Sequence, residues 1–283
     1  MADPRQALEA IGLLPDIEID PAVAALQLAR LDAPGDDWLD AMHHLSRLAR
    51  EAASIGAVLA GRSAEARIGG LAGLIHGQFG YRGDSETYDD LDNANLIRVI
   101  ERRRGLPVAL GLLWMHCIRA AGWEGFGIDF PGHFLVALKI PAGNEGTEPA
   151  HPLIDPFSNG ATVGDTDLLA LLHRIAGPDA ALRPGMVRPM STRDVLLRLQ
   201  RNLLQRRLMA GEAEAAMGSL EGMLQIAPDV AANWLNAADL NRHLGRSGAA
   251  IQCLERFLAL APGSDAAALA RVQLDDLRGG NLN

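Results

Sequence analysis

The strongest constraint in the sequence is a segment, 108–121, that is apolar on nearly every side of a helix. Pro107 precedes it at a position where a helix tolerates proline, and Gly122 ends it. Its apolar residues include Val108, Leu110, Leu112, Leu113, Trp114, Met115, Cys117 and Ile118. Helices with this pattern are buried on most sides, so we predict a core helix enclosed by other elements.

Short strand patterns follow this helix at 126–130, 133–140 and 152–157, separated by glycine and proline. A buried helix followed by such strands predicts an α+β core. Residues 1–80 show helical spacing of apolar residues, and 80–93 is a polar stretch typical of a loop, after which Asn93 is expected to cap a short helix. The segment 163–190 is expected to be an irregular connector with one helix.

The C-terminal third contains a repeat with a period of about 34 residues, the period of TPR units. A shift of this length superposes Ala216, Leu220, Leu224, Ala227 and Pro228 on Ala250, Leu254, Leu258, Ala261 and Pro262. The second unit also has Trp234 and Ala238 at the pattern's Trp and small positions, whereas the first has Gln200 where Trp is usual. Two repeats are fewer than the roughly three that stand alone, so we expect them to pack on the first domain or on a partner.

These patterns divide the chain into three predicted segments. Residues 1–80 form a helical N-terminal segment packed on the core, 81–190 form the α+β core, and 191–283 form two TPR-like repeats with a capping helix.

Charge and composition argue against nucleic acid as a partner. The chain has a net charge of −9 and Lys139 is its single lysine. The densest basic run, Arg102 to Arg104, is predicted to be a solvated helix C-terminus rather than a phosphate site. Without a secretory signal or an apolar run near the ~18 residues of a membrane span, the expected location is the cytoplasm, with Cys117 and Cys253 reduced and buried.

His133 and Asp155 are the candidate site residues. If a hairpin turns between Asn144 and Glu145, within a loop spanning 141–148, residues whose numbers sum to about 288 or 289 face each other, so His133 lies opposite Asp155 or one position away. A carboxylate beside an imidazole fixes its tautomer and raises its basicity. Two alternatives remain open: a purely structural strand end and turn, or a metal set formed by His133, His151 and Asp155.

A triad would also need a nucleophile at a helix N-terminus, where the dipole activates a thiol. The first turn of the core helix, Pro107-Val108-Ala109, contains no Cys, Ser or Thr. Cys117 lies eight residues beyond Ala109, about 12 Å along the axis, and is predicted to be a core thiol.

The segments 95–108, Pro131-Gly132-His133-Phe134 and Ile154-Asp155-Pro156-Phe157, followed by TPR-type repeats, resemble the bacterial SirB-type family over about residues 35–280. The resemblance implies a papain-like, transglutaminase-like fold in which a buried helix packs on an antiparallel sheet. It also implies that His133 and Asp155 match the family His and Asp, and that the nucleophile position falls between Pro107 and Ala109. Members commonly have a Ser there, whereas this chain has Ala109.

Two functions are therefore open. The first is a non-catalytic interaction or regulatory protein that binds a protein or peptide partner through its TPR-like region, with no cofactor, metal, nucleic acid or membrane. Carboxylate contacts there could come from the arginines at positions 201, 206, 207, 242 and 246, which otherwise are ordinary solvated helix residues. The second is an atypical hydrolase or acyl transferase that uses His133 and Asp155 with water, or Cys117.

Overall fold

The structure is a computed structural model that describes residues 3–33, 35, 37–140 and 151–280. The loop on which the predicted hairpin was centred, 141–148, lies outside the described residues. Contacts between Cα atoms divide the chain into two compact units. One comprises residues 15–199, and the other comprises residues 1–14 together with 200–283.

Twelve α-helices and seven strands are found among the described residues. The helices are α1 (Pro4–Leu13), α2 (Pro21–Asp32), α3 (Trp38–Val58), α4 (Ala64–Ala72), α5 (Leu96–Arg102), α6 (Pro107–Ala120), α7 (Asp165–Ala176), α8 (Thr192–Met209), α9 (Ala213–Ile226), α10 (Ala231–His243), α11 (Ser247–Leu260) and α12 (Ala267–Gly280). The strands are β1 (Arg82–Gly83), β2 (Arg104–Gly105), β3 (Glu124–Phe130), β4 (His133–Lys139), β5 (Leu153–Asp155), β6 (Ala161–Val163) and β7 (Arg188–Met190). No helix of the described residues is long and apolar enough to cross a membrane.

The main sheet has five strands in the order β6-β5-β4-β3-β7, and every neighbouring pair in it is antiparallel. Strands β1 and β2 form a separate short parallel pair. The α+β class predicted from the sequence is therefore correct. Four strands were not predicted, β1, β2, β6 and β7, because strands of two or three residues carry too little alternation to register as a pattern.

Helix α6 is the centre of the α+β unit. It packs against β3 and β4 on one side and against α2 and α3 on another. All residues from 107 to 118 are buried, as the apolar pattern predicted. The opposite face of the sheet is covered by α7, whose Leu168, Leu171 and Leu172 pack on Ile128 and Leu135.

Two glycines allow α6 to approach the sheet closely. The ring of Phe134 in β4 lies between Gly111 of α6 and Gly127 of β3, and a Cβ built at Gly111 would overlap that ring. A Cβ at Gly127 would lie 3.0 Å from the same ring, so both glycines leave room for Phe134. The sheet therefore fixes the position of α6 through this side chain.

One polar contact anchors α6 within its apolar surroundings. Asp20 caps α2 by accepting the N–H groups of Ala22 and Val23, and its Oδ2 lies 2.9 Å from Nδ1 of His116 in α6. Burial lowers the pKa of His116, but the Asp20 carboxylate outweighs it and raises that pKa above its ordinary value. The pair therefore joins α2 to α6 by a charge-assisted contact.

The N-terminal segment 1–80 divides at residue 14, in contrast to the prediction that all of it packs on the core. Helix α1 packs on α9 instead, because Gly12 has no side chain and approaches the carbonyl oxygen of Gln225, where a Cβ would overlap. Leu8 is fully buried there, and Arg5 pairs with Glu221 at 3.2 Å.

The capping residue of α5 also differs from the prediction. Asn95, not Asn93, accepts the N–H groups of Ile97 and Arg98. Asn93 instead is fully buried and donates its amide to the carbonyl oxygen of Thr87 at 2.6 Å. Both asparagines suit a cap by residue type, so spacing by itself could not choose between them.

Candidate functional site

His133 begins β4 and Asp155 ends the neighbouring antiparallel strand β5. The structure places His133 Nε2 3.1 Å from Asp155 Oδ2, with side chains that are 15% and 8% exposed. The two atoms lie within ion-pair distance, although their geometry does not meet the criteria for a hydrogen bond. The pair is thus close and mostly shielded from solvent.

The strand register differs from the hairpin arithmetic. Val136 pairs with Ile154 and Ala137 with Leu153, so partner numbers sum to 290. Continuing this register by one residue places Asp155 opposite Leu135, two residues from His133. Because side chains alternate with a period of two, a shift of two residues leaves His133 and Asp155 on the same face as diagonal neighbours.

A tight turn after β5 orients the Asp155 carboxylate. Its Oδ1 accepts the N–H groups of Phe157 (2.9 Å) and Ser158 (3.3 Å), and its Oδ2 accepts the Ser158 hydroxyl at 2.8 Å. Burial raises the pKa of Asp155, but the contact with His133 and the bonds from Ser158 and Phe157 hold it below its ordinary value. Asp155 is therefore an ionised group with most of its acceptor positions occupied.

The backbone of His133 is fixed by Arg198 of α8. The Nη2 of Arg198 donates to the His133 carbonyl oxygen at 2.8 Å, and the Nη1 of Arg198 pairs with Asp129 of β3. The same guanidinium lies 5.7 Å from the centre of the Phe134 ring. The start of β4 is therefore held from the backbone side, leaving the imidazole to face Asp155.

Trp114 of α6 connects the core helix to the turn that carries Asp155. A Cβ at Gly160, in that turn, would overlap the indole ring, and the N–H of Gly160 donates to the Asp155 carbonyl oxygen at 2.9 Å. The indole Nε1 donates to His76 Nε2 at 3.0 Å, so His76 is the neutral Nδ1–H tautomer, which donates to the Tyr81 carbonyl oxygen at 2.7 Å. Both nitrogens of His76 are therefore occupied.

The N-terminus of α6 offers no nucleophile. Its first turn consists of Pro107, Val108 and Ala109, all buried, and no side chain caps it. Cys117 is fully buried in the same helix, and burial raises the pKa of its thiol. A thiol in these surroundings stays protonated and unreactive at neutral pH.

The residues considered as metal ligands are not brought together. Among the residues that the structure describes, no group of three His, Cys, Asp or Glu side chains is placed to hold a metal ion. His151 packs against the Phe126 ring, with centroids 5.6 Å apart, so the set with His133 and Asp155 is not assembled.

A family model described as the transglutaminase-like superfamily matches residues 37–201 of this chain. The chain belongs to that superfamily. The match contains α6, the main sheet, His133 and Asp155, and it ends within α8. Helices α9 to α12 lie outside it.

Curated relatives support the SirB-type family predicted from the sequence motifs. A UPF0162 protein of Pseudomonas aeruginosa is 33% identical over 92% of this chain and 90% of its own length. Protein SirB1 of Salmonella typhimurium is 23% identical over 91% of each chain. F-box only protein 21 of Mus musculus is 27% identical over 61% of this chain and 27% of its own length. No solved structure matches the chain.

Several residues around the His133–Asp155 pair were not predicted. The sequence Asp155-Pro-Phe-Ser158 carries a usable signal, because an Asp followed by such residues commonly forms a turn of this kind. His76 and Arg198 carry no local signal, since they reach the site only through the tertiary fold.

We expect the turn bonds of Asp155 to contribute more to stability than its charge. Asp155→Ala removes every bond to Phe157 and Ser158 and should lower the free energy of unfolding by about 2–3 kcal/mol. Asp155→Asn keeps an acceptor oxygen and should cost about 1 kcal/mol. Urea unfolding of the full chain, followed by circular dichroism at neutral pH, measures both, with Ser158→Ala as the control for the hydroxyl bond. Equal losses for Ala and Asn would contradict the turn assignment.

The stability that the Asp155 charge contributes should depend on pH. Asp155 has a lower pKa in the folded chain than in the unfolded chain, so its charge stabilises fully above about pH 4, the ordinary value. That stabilisation is lost as the pH falls through the folded value. The stability difference between the unmodified protein and Asp155→Asn should therefore shrink below pH 4.

Proposed function

We propose that this protein is a non-catalytic member of the transglutaminase-like superfamily that acts by binding a protein or peptide partner. The observation that carries the proposal is the first turn of α6, where Pro107, Val108 and Ala109 supply no nucleophile. Acyl transfer through a covalent intermediate needs a thiolate or alkoxide that a nearby base can activate. Cys117 does not substitute for it, because it is fully buried and its pKa is raised.

The His133–Asp155 pair then has a structural or ligand-holding role. Three donors from Phe157 and Ser158 occupy the carboxylate, and Arg198 fixes the backbone of His133. These contacts hold the two strand ends together whether or not a substrate is present. A pair maintained in this way keeps its geometry without a third catalytic group.

The partner-binding part of the proposal rests on the helices after residue 200. The residues that recur at the 34-residue spacing lie mainly in α9 and α11, and three of the equivalent pairs are buried in both helices, as expected for TPR-type units. The equivalent buried positions are Ala216 and Ala250, Leu220 and Leu254, and Met223 and Phe257. We therefore assign residues 191–283 to two TPR-type units with α12 as the capping helix.

A groove between these helices provides the binding surface. It has a volume of about 510 Å³ and is lined mainly by apolar side chains of α8 and α9 with polar side chains of α10. Its lining includes Leu204, Leu208, Leu220, Asn236, Leu240 and His243. Leu208 is 50% exposed and the adjacent Met209 is 72% exposed, so two large apolar side chains are available to a partner. An extended or helical peptide with an apolar anchor fits this chemistry.

The arginines expected to contact a partner differ in their availability. Arg207 is buried and donates to the Ser219 hydroxyl, while Arg246 pairs with Glu214 at 2.7 Å and Arg242 with Asp239 at 3.4 Å. Arg206 bonds to Asn202. Arg201 is exposed beside Leu204 and Leu208, and it is the arginine we assign to a carboxylate of the partner.

The alternative function is an atypical hydrolase or acyl transferase in which His133 and Asp155 activate water. The 3.1 Å contact between the two side chains favours it. Such an enzyme would lose the positioned nucleophile and the division into two easier steps.

The first prediction of this proposal concerns covalent chemistry. The unmodified protein should form no acyl adduct with thioester or activated amide probes, because α6 begins without a nucleophile. Intact-mass spectrometry after incubation at neutral pH detects such an adduct, and Cys117→Ala is the control for slow labelling of the core thiol. An adduct that disappears in His133→Ala would show that the chain is a covalent catalyst.

The second prediction concerns the groove. Peptides from a display library that are selected for binding to the full chain should contain an apolar anchor. These peptides should bind the Leu208→Glu variant at least about tenfold more weakly than the unmodified protein, because a charge buried in the interface opposes an apolar contact. Leu269→Glu is the matched control, because Leu269 is 62% exposed on α12 and is not among the groove residues. Fluorescence anisotropy gives the affinities. Equal affinity for both variants would remove the groove from the proposal.

A further inference from the structure

The three arginines of the basic run 102–104 have different environments. Arg102 lies within 3.2 to 3.6 Å of the carboxylates of Asp84, Asp90 and Asp92. Arg104 pairs with Glu86 at 2.8 Å. Arg103 has no carboxylate partner among the described residues, so its charge is not neutralised by the surrounding chain.

The backbone of Arg103 directs its guanidinium inward. Arg103 follows α5 as its C-terminal cap with φ of 57°, a left-handed conformation that is uncommon for a residue with a side chain. Its Nη1 donates to the Tyr81 hydroxyl at 2.6 Å and to His44 Nε2 at 2.8 Å. The guanidinium is therefore held in one orientation by two neutral groups.

A cavity of about 560 Å³ lies between α3 and α5 at this guanidinium. Arg47 and Arg50 of α3 line it together with Arg103, and His43 and His44 lie among them. The Arg47 guanidinium lies 4.9 Å from the centre of the Phe79 ring, which itself contacts the His44 ring at 5.2 Å. Arg103 therefore bonds to His44 directly, whereas Arg47 lies over a ring that contacts His44.

Three acidic residues also line the cavity, and two of them are already engaged. Asp37 caps α3 by accepting the N–H groups of Leu39 and Asp40. Glu101 pairs with Arg98 at 3.0 Å. The third is the exposed Asp40. In the part of the chain that the structure describes, no carboxylate lies within ion-pair distance of Arg47 or Arg50.

The pKa of His44 is lowered by its surroundings in the cavity. Burial lowers its pKa, and the charges of Arg103 and Arg47 lower it further, to about 4. His44 is therefore neutral at physiological pH and accepts a bond from Arg103. Among the described residues, none of the guanidinium groups of Arg103, Arg47 and Arg50 is paired with a carboxylate, so each can still pair with an incoming anion.

We propose that this cavity binds a small anionic ligand through Arg103 and Arg47, with Arg50 as a further contact. The recognised group is a planar or tetrahedral oxyanion, either a carboxylate or a phosphate, which guanidinium groups bind with paired hydrogen bonds. The buried side chains of Ile97 and Ile100 form the apolar base of the same cavity. This site uses none of the residues assigned to the His133–Asp155 pair or to the groove.

Isothermal titration calorimetry of the full chain with inorganic phosphate, and separately with citrate, tests the site at constant ionic strength. The unmodified protein should bind at least one of the two saturably. Arg103→Asn removes the guanidinium but keeps a residue type that tolerates the left-handed backbone, and Arg47→Gln changes the second contact without any backbone constraint. Each should weaken binding about tenfold or more.

Arg104→Gln is the matched control, since it removes the same charge from the same run but belongs to an exposed pair outside the cavity. It should bind with unchanged affinity. Phosphate binding alone would assign the ligand to phosphate esters, and citrate binding alone to carboxylates. No saturable binding of either anion, or equal binding by Arg47→Gln and the unmodified protein, would overturn the proposal, whether or not Arg103→Asn folds.

Discussion

Burial of α6 on every side is the constraint on which the rest of the α+β unit depends. Residues 107–118 are apolar except for His116, so the helix is not stable in water, and the sheet covers one side of it while α2 and α3 cover another. Gly111 and Gly127 let Phe134 fill the space between helix and sheet. The polar groups that enter this core do so in pairs, as His116 does with Asp20.

Contacts with this core determine the geometry of the candidate site. Trp114 projects from the middle of α6 against Gly160 and bonds to His76, so the turn that presents Asp155 rests on the buried helix. His133 is placed from the other direction, by Arg198 and the start of β4. The pair therefore needs no catalytic function to persist. This complete burial also raises the pKa of the Cys117 thiol, because the charged form is desolvated there.

The parts of the fold that the sequence predicts are those with a strong local period. Helix α6, strands β3 to β5 and the C-terminal helices follow from runs whose spacing selects one element type. The register of β4 against β5 depends on the conformation of the connecting loop, so counting residues gave a sum near 288 or 289 instead of 290. His133 and Asp155 lie close together in spite of this difference in register, because side chains on one face of a strand recur every two residues.

The parts that could not be predicted depend on contacts between distant segments. The packing of α1 on α9 depends on a close approach at Gly12, and the inward turn of Arg103 depends on Tyr81 and His44. The sequence of a basic run does not show which of its arginines forms an ion pair with a carboxylate. Only the tertiary structure separates Arg103 from Arg102 and Arg104.

We propose that this chain keeps the His and Asp of a transglutaminase-like site, His133 and Asp155, and lacks the nucleophile. The most direct test installs that nucleophile, as Ala109→Cys and separately as Val108→Cys, and measures the rate of thiol alkylation against pH by intact mass. We expect one of the two thiols to ionise below its ordinary pKa of about 8.5, and we expect this shift to disappear when His133→Ala is added. Alkylation rates that do not depend on His133 in either variant would show that the His133–Asp155 pair is not aimed at the start of α6, and would contradict the claim.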